Sequence, residues 1–243
     1  MNKTLFLSGS ESKIINKLNN LGYETIITEP NTALDSAISS HADCALFTAN
    51  NSVYFAGESN YNNIVNYLTK GESGIENGRK GEKTVIIEKD IFSPYPNDIK
   101  LNAKAFGRNI LCNAAFVSDN IKKFAADNDF SLLHCNQGYA ACSTVKLSDN
   151  AAITDDISVY NILSRTGIDC LMVSKGSVKL NGYSYGFIGG CCGLIENNLI
   201  AFAGNIDTHT DSEQIKSFLY KHNINYINLT DGELTDIGGI IAL

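Results

Sequence analysis

The stretch 186–231 constrains the fold most, because it holds one complete structural unit that the rest of the chain repeats. An apolar run over 187–195 turns at Glu196-Asn197-Asn198 and returns over 199–204, the pattern of a β-hairpin. Thr210-Asp211-Ser212-Glu213 has the form of a helix capping box, and Ile215, Phe218 and Leu219 follow at helical spacing. A strand over 224–229 closes the unit at Asp231-Gly232. Ile237-Gly238-Gly239 repeats Ile188-Gly189-Gly190 at a step of 238 − 189 = 49. The same step backwards lands on Tyr139-Ala140-Ala141-Cys142, which shares the bulky–small–small–cysteine order of Ile188-Gly189-Gly190-Cys191.

Earlier units follow the same grammar. Residues 3–8 read as a strand, 11–21 as a helix capped by Ser10 and ended by Gly22, and 23–28 as a β-branched strand. A second unit over 43–89 has strands at 44–48 and 53–56 around an Asn50-Asn51 turn, a helix marked by Ile64, Val65 and Leu68, and a strand at 84–88. Its polar, glycine-containing stretch 69–83 reads as either a lid or a disordered insertion. The third unit has strands at 99–106 and 110–117, a helix capped by Ser118 and a strand at 130–135. The fourth has strands at 139–147 and 151–154, a helix capped by Asp155 or Asp156 and a strand at 168–174; an extra hairpin arm is expected at 177–185. The first unit lacks its leading strand, and 234–242 is a strand without a following partner. Pairing the two termini completes a fifth unit and predicts a ring of five blades, a single α/β propeller domain over 1–243.

Composition narrows the function classes. The net charge of −7 and pI near 5.1, with no basic stripe, exclude a typical nucleic-acid binder. No apolar run reaches the ~18 residues of a membrane span, and the amino terminus lacks a signal-peptide pattern. Seven cysteines without a secretion signal read as reduced thiols in the cytoplasm. With no C-x-x-C, and with Cys191 and Cys192 adjacent, neither a zinc site nor another cofactor is expected.

The five-unit order resembles the pentein fold of the guanidino-group-modifying enzymes, and the terminal Asp236-Ile237-Gly238-Gly239-Ile240-Ile241-Ala242 is similar to that family's carboxy-terminal strand. The resemblance implies a thiolate attacking a guanidinium carbon, aided by a histidine and by acids that hold the cation. Ala242 stands where the nucleophilic cysteine would be, 186–198 contains no histidine, and Gln137-Gly138-Tyr139-Ala140 stands where an acid would be expected. The sequence therefore reads as a branch without the usual catalytic cysteine and histidine.

In such a ring the first strand of each blade lines a central channel, with alternate residues facing inward. If residue 242 faces inward, so does Ile240. Steps of 49 then place Cys191 and Gly193, and Cys142 and Thr144, on the same face, with Cys192 pointing away. Cys142 and Cys191 are either small packing residues or functional thiols. Lys100, Asn102 and Lys104 share one face of the third inner strand, and Asp236 is placed to hold a cation or start a strand. The candidate ligand contacts are Asn102, Thr144 and Asp236. The expected function is binding of a small polar molecule, amine-, guanidino- or amino-acid-like, in the funnel. The alternatives are an amidine or amide hydrolase or transferase with Cys142 as relocated nucleophile, and a non-enzymatic interaction scaffold.

Overall fold

The computed structural model describes residues 3–49, 52–69, 79–80 and 83–243. The Asn50-Asn51 turn and most of the stretch read as lid or insertion (70–78 and 81–82) lie outside the described residues.

The chain runs through β1 (Thr4–Leu7), α1 (Ser12–Asn20) and β2 (Glu24–Ile27). It continues through α2 (Ala42–Ala45), β3 (Leu46–Ala49), β4 (Val53–Gly57), α3 (Glu58–Thr69), β5 (Arg79–Lys80) and β6 (Lys83–Glu88). A third unit is β7 (Lys104–Phe106), β8 (Asn109–Cys112), α4 (Asp119–Asp127) and β9 (Ser131–His134). A fourth is β10 (Thr144–Ser148), β11 (Ala151–Thr154), α5 (Ile157–Arg165) and β12 (Asp169–Met172). The last is β13 (Cys192–Glu196), β14 (Leu199–Phe202), α6 (Ser212–Lys221) and β15 (Asn225–Asn228), followed by β16 (Ile240–Ala242).

Among the described residues these strands form five small sheets, each with an antiparallel pair, a hairpin in all but the amino-terminal sheet, and a parallel strand returned by the helix. In the amino-terminal sheet the order is β16-β1-β2, with Leu5 opposite Ala242 and Leu7 opposite Ile240, so the last strand completes the first unit as the sequence predicts.

The five longer helices carry a buried apolar pair one turn apart: Ile14/Leu18, Ile64/Leu68, Ile121/Ala125, Val159/Leu163 and Ile215/Leu219. At 9 to 12 residues they are too short to be stable alone, so tertiary packing of that stripe holds them. Each stripe packs between its own sheet and the one before it. Ile215 and Leu219 of α6 share a core with Val145 and Ile153 of the fourth unit. Val159 and Leu163 reach Phe106 and Leu111 of the third, and Ile121 reaches Phe47 and Phe55 of the second. Ile64 and Leu68 meet Phe6 of the first, while Ile14 and Leu18 of α1 meet Ile195 and Ala201 of the last. Burying such a side chain contributes roughly 1.5–3 kcal/mol.

The first strand of each unit faces the next: β16 lies against β13, β13 against β10, β10 against β7 and β7 against β3, while α2, leading into β3, lies against β16. Close approach here demands glycine. A Cβ on Gly193 would stand 1.9 Å from the Ile240 carbonyl oxygen.

Several local expectations are corrected. The first strands are shorter than their apolar runs, because the residues ahead of them coil: 140–143 form turns and Gly189–Cys191 a 3₁₀ turn, with strand beginning only at Thr144 and Cys192. Asn102 likewise precedes β7 instead of lying within it. The capping box of α6 does not form: Asp211 instead accepts the Ser174 N–H, and α1 begins after Glu11 without a side-chain cap. Ser118 and Asp156 do cap, each accepting two backbone N–H groups. The segment 177–185 makes an isolated bridge, Lys179 to Thr235, not a hairpin arm.

Candidate functional site

The turns ahead of the first strands converge on a buried polar cluster. Asn102, 1% exposed, is its centre. Its Oδ1 accepts the N–H groups of Ala141 (2.7 Å) and Cys142 (3.3 Å). That fixes the amide orientation, so Nδ2 donates to Cys142 Sγ at 3.1 Å and to the Asp43 carbonyl at 3.3 Å, with Cys44 Sγ at 3.9 Å. Asp43 and Cys44 come from α2, whose position is set by the Asp43 N–H donating to the Gly238 carbonyl at 3.0 Å. Three turns from separate units are therefore tied through one side chain.

Asp43 is buried, and neither carboxylate oxygen accepts an N–H or O–H among the described residues. The Cys142 thiol, a weak donor, faces it. Burial pushes the Asp43 carboxyl up to about 6 against the opposing pull of His41. Burial likewise drives the Cys142 thiol well above its ordinary value, reinforced by the Cys44 thiol and by Asp43. Burial lowers the Lys104 ammonium, which donates to the Thr144 carbonyl at 2.6 Å.

A cavity of about 590 Å³ opens between the first strands, with Asp43, Lys104, Cys192, Gly193, Gly238 and Ala242 on its wall. Cys192, not Cys191, reaches this wall, a correction of the sequence reading. Thr144, Cys192 and Ile240 occupy the same rung, opposite Thr154, Phe202 and Leu7. The structural interval is thus 192 − 144 = 48 and 240 − 192 = 48, one less than the spacing of the letters. Cys191 lies in the 3₁₀ turn ahead of β13, so strand alternation does not govern where its side chain goes. Cys191 is fully enclosed, its thiol donating to the Ile188 carbonyl at 3.1 Å.

The other predicted contacts sit behind this wall. Asp236 is 4% exposed, and its carboxylate accepts the Phe187 N–H (2.9 Å) and the Gly238 N–H (3.0 Å), with His41 Nδ1 at 3.7 Å. It occupies the space that a Cβ on Gly190 would need, so it fastens two turns to each other. Thr144 is fully buried, and its Oγ1 has no hydrogen-bond partner among the described residues. Asn102 and Cys142 are brought together, but neither they nor Cys191, Asp236 and Thr144 stand on the cavity wall. Lys100, grouped with Asn102 and Lys104 in sequence, lines a separate surface depression beside Ser118. Asp43 and Cys44 did not stand out in the sequence. The signal was available: 142 − 44 = 98 is two steps of 49, which puts Cys44 in frame with Cys142.

The model of a family of unknown function, DUF6873, matches residues 6–241. The chain belongs to that family. A comparison with curated proteins finds no match. Among solved structures, this DUF6873 protein is similar to agmatine deiminase from C. jejuni, at 13% identity and a TM-score of 0.54, over 99% of this chain and 92% of that one. It is also similar to a mutant of DDAH from Pseudomonas aeruginosa complexed with citrulline, at 8% identity and a TM-score of 0.56 over the whole of both chains. The amidinotransferase SxtG from Microseira wollei matches at 9% identity and a TM-score of 0.54, over 95% of this chain and 78% of that one. The DUF6873 chain thus shares the fold of these proteins, a mixed α/β fold of five small sheets. Among its described residues no helix is long and apolar enough to cross a membrane.

Proposed function

We propose that the five sheets close into a ring, with 1–243 acting as one unit. In the central cavity the protein binds a small polar molecule, amine-, guanidino- or amino-acid-like, without covalent attack by a thiol. The helix packing, in which α1 meets the last unit as the others meet their predecessors, supports the closure. The observation that carries the binding reading is the Asp43 carboxylate: buried, without an N–H or O–H partner, and on the wall of a cavity that also presents Lys104. A buried carboxylate left without donors costs free energy that a ligand ammonium or guanidinium would recover. Lys104 would meet the opposite charge of an amino-acid-like ligand.

The residues present support a reading without covalent chemistry. Ala242 offers a methyl group to the cavity, and 186–198 has no histidine. Around Cys142 stand a carboxylate, a second thiol and an amide, none of which draws a proton from a thiol as a histidine does. The neighbouring structures act on agmatine or hold citrulline, which makes these and arginine the first probes.

The test is thermal unfolding with each probe. A ligand at a hundred times its Kd stabilises by about 2.7 kcal/mol, which shifts Tm by roughly 5 °C or more for a chain of this length. Asp43→Asn should abolish that shift. If no amine, guanidine or amino acid stabilises the wild type, or if Asp43→Asn responds equally, the reading fails.

A further inference from the structure

The Asp43 corner contains more acceptors than an organic cation needs. One oxygen of Asp43, Sγ of Cys44 and Sγ of Cys142 all lie within 4.8 Å of one another, and all three residues are buried. They arrive from two segments 98 residues apart, so no C-x-x-C spacing betrays them in the sequence. Adjacent side chains on an extended strand diverge, but Asp43 and Cys44 sit on the single turn of α2 and both meet Cys142.

We propose that Asp43, Cys44 and Cys142 bind a thiophilic divalent metal ion of the zinc type, with one coordination position open to the cavity.

The donor set is chemically matched. Two thiolates and a carboxylate suit zinc, and three protein ligands with a free fourth position give an open tetrahedral site. The surroundings are arranged for sulfur as an acceptor. The Asn102 amide, its oxygen held by two backbone N–H groups, points its nitrogen at Cys142 Sγ at 3.1 Å and lies 3.9 Å from Cys44 Sγ. Amide donors to sulfur are the outer-shell contacts that orient and stabilise a metal-bound thiolate. The Asp43 carboxylate, buried and accepting no N–H or O–H among the described residues, is the second observation that points to a cation here. Binding is balanced by proton release: two thiols lose their protons to solvent, two sulfur–metal bonds and one oxygen–metal bond form, and no electron moves. Two thiolates, a carboxylate and a divalent ion leave one net negative charge, which Lys104 faces.

This inference goes beyond the ligand reading. A metal ion and an organic cation are alternative partners of the same carboxylate, but only the metal needs the two sulfurs.

The test is titration of the reduced, metal-free, full-length protein with cobalt(II) as a spectroscopic stand-in for zinc. The expected result is one equivalent bound, with thiolate-to-cobalt charge-transfer absorption and tetrahedral d–d bands, displaced by zinc. Cys44→Ser, Cys142→Ser and Asp43→Asn should each weaken binding at least tenfold, while Cys191→Ser leaves it unchanged. X-ray absorption of the zinc-loaded wild type should count two sulfur ligands, which keeps the test decisive if a variant fails to fold. No thiolate–cobalt band, an unchanged band in Cys142→Ser, or a sulfur count other than two overturns the site. Failure of agmatine to bind leaves it standing, and failure of cobalt leaves the ligand reading standing.

Discussion

The turns ending at Cys142 and at Cys191 share a bulky–small–small–cysteine pattern, yet their thiols sit in different chemistry. Cys142 Sγ accepts the Asn102 amide and faces Asp43 and Cys44. Cys191 donates to the Ile188 carbonyl and is otherwise enclosed by an apolar cluster that includes Val178, Ile206 and Leu234. The repeat placed both turns directly ahead of the first strands of their units. What surrounds each thiol came from side chains outside the repeat pattern, Asn102 and Asp43 on one side and the residues of the last two units on the other. Position is inherited from the repeat; chemistry is supplied by the neighbours.

The strongest way to break the Cys191 side is steric. Gly193→Ala would put a methyl 1.9 Å from the Ile240 carbonyl oxygen, and backbone cannot yield as a flexible side chain would. The expected loss exceeds about 4 kcal/mol, the range of exceptional single substitutions, and urea unfolding followed by circular dichroism measures it. A variant as stable as wild type would mean that β13 and β16 are not packed this closely.

The next effect is electrostatic and also bears on that turn. Asp155 accepts the Ile188 N–H at 2.9 Å, and burial raises its carboxyl to about 7, with the same N–H and Lys175 opposing and Asp156 adding. A carboxyl raised on folding stabilises fully below its unfolded value near 4, and that contribution disappears as pH rises through 7. The full loss is on the order of 4 kcal/mol at most. Tm should therefore fall between about pH 4 and pH 7, and Asp155→Asn, which still accepts the N–H, should reduce the slope to the part that Asp43 contributes. An identical slope in the variant would show that Asp155 does not titrate in this window.

On the Cys142 side, Asn102→Ala removes the acceptor for two backbone N–H groups and should cost about 3 kcal/mol. Labelling by iodoacetamide sharpens the contrast: Cys142 should become reactive in this variant while Cys191 stays protected. In the wild type Cys170, which is partly exposed, should label ahead of both. Equal labelling of Cys142 and Cys191 in the variant would remove the distinction between the two turns. The smallest effect is the loss of either thiol: Cys142→Ala and Cys191→Ala should each cost about 1 kcal/mol as small cavities. Stability scores the two cysteines alike; metal uptake separates them.

The elements were legible because their signals are local. Paired apolar residues four apart mark the helices, hairpin turns mark the antiparallel strands, and the unpaired strand pattern at each terminus specified that 240–242 joins 4–7. The glycines of Ile188-Gly189-Gly190 were legible as a repeat, although their reason, the Asp236 carboxylate lying against Gly190, was not. Register was not legible. The letters repeat at 49 and the rungs at 48, and strand begins only at Cys192, which lines the cavity, while Cys191 stays in the 3₁₀ turn ahead of it. The repeat step put Cys44 in frame with Cys142, but the meeting of both with Asp43 and Asn102 was decided by the tertiary structure. Whether a carboxylate or thiol is buried beside donors, acceptors or nothing depends on which distant turns pack together, and no local pattern of residues encodes that distance.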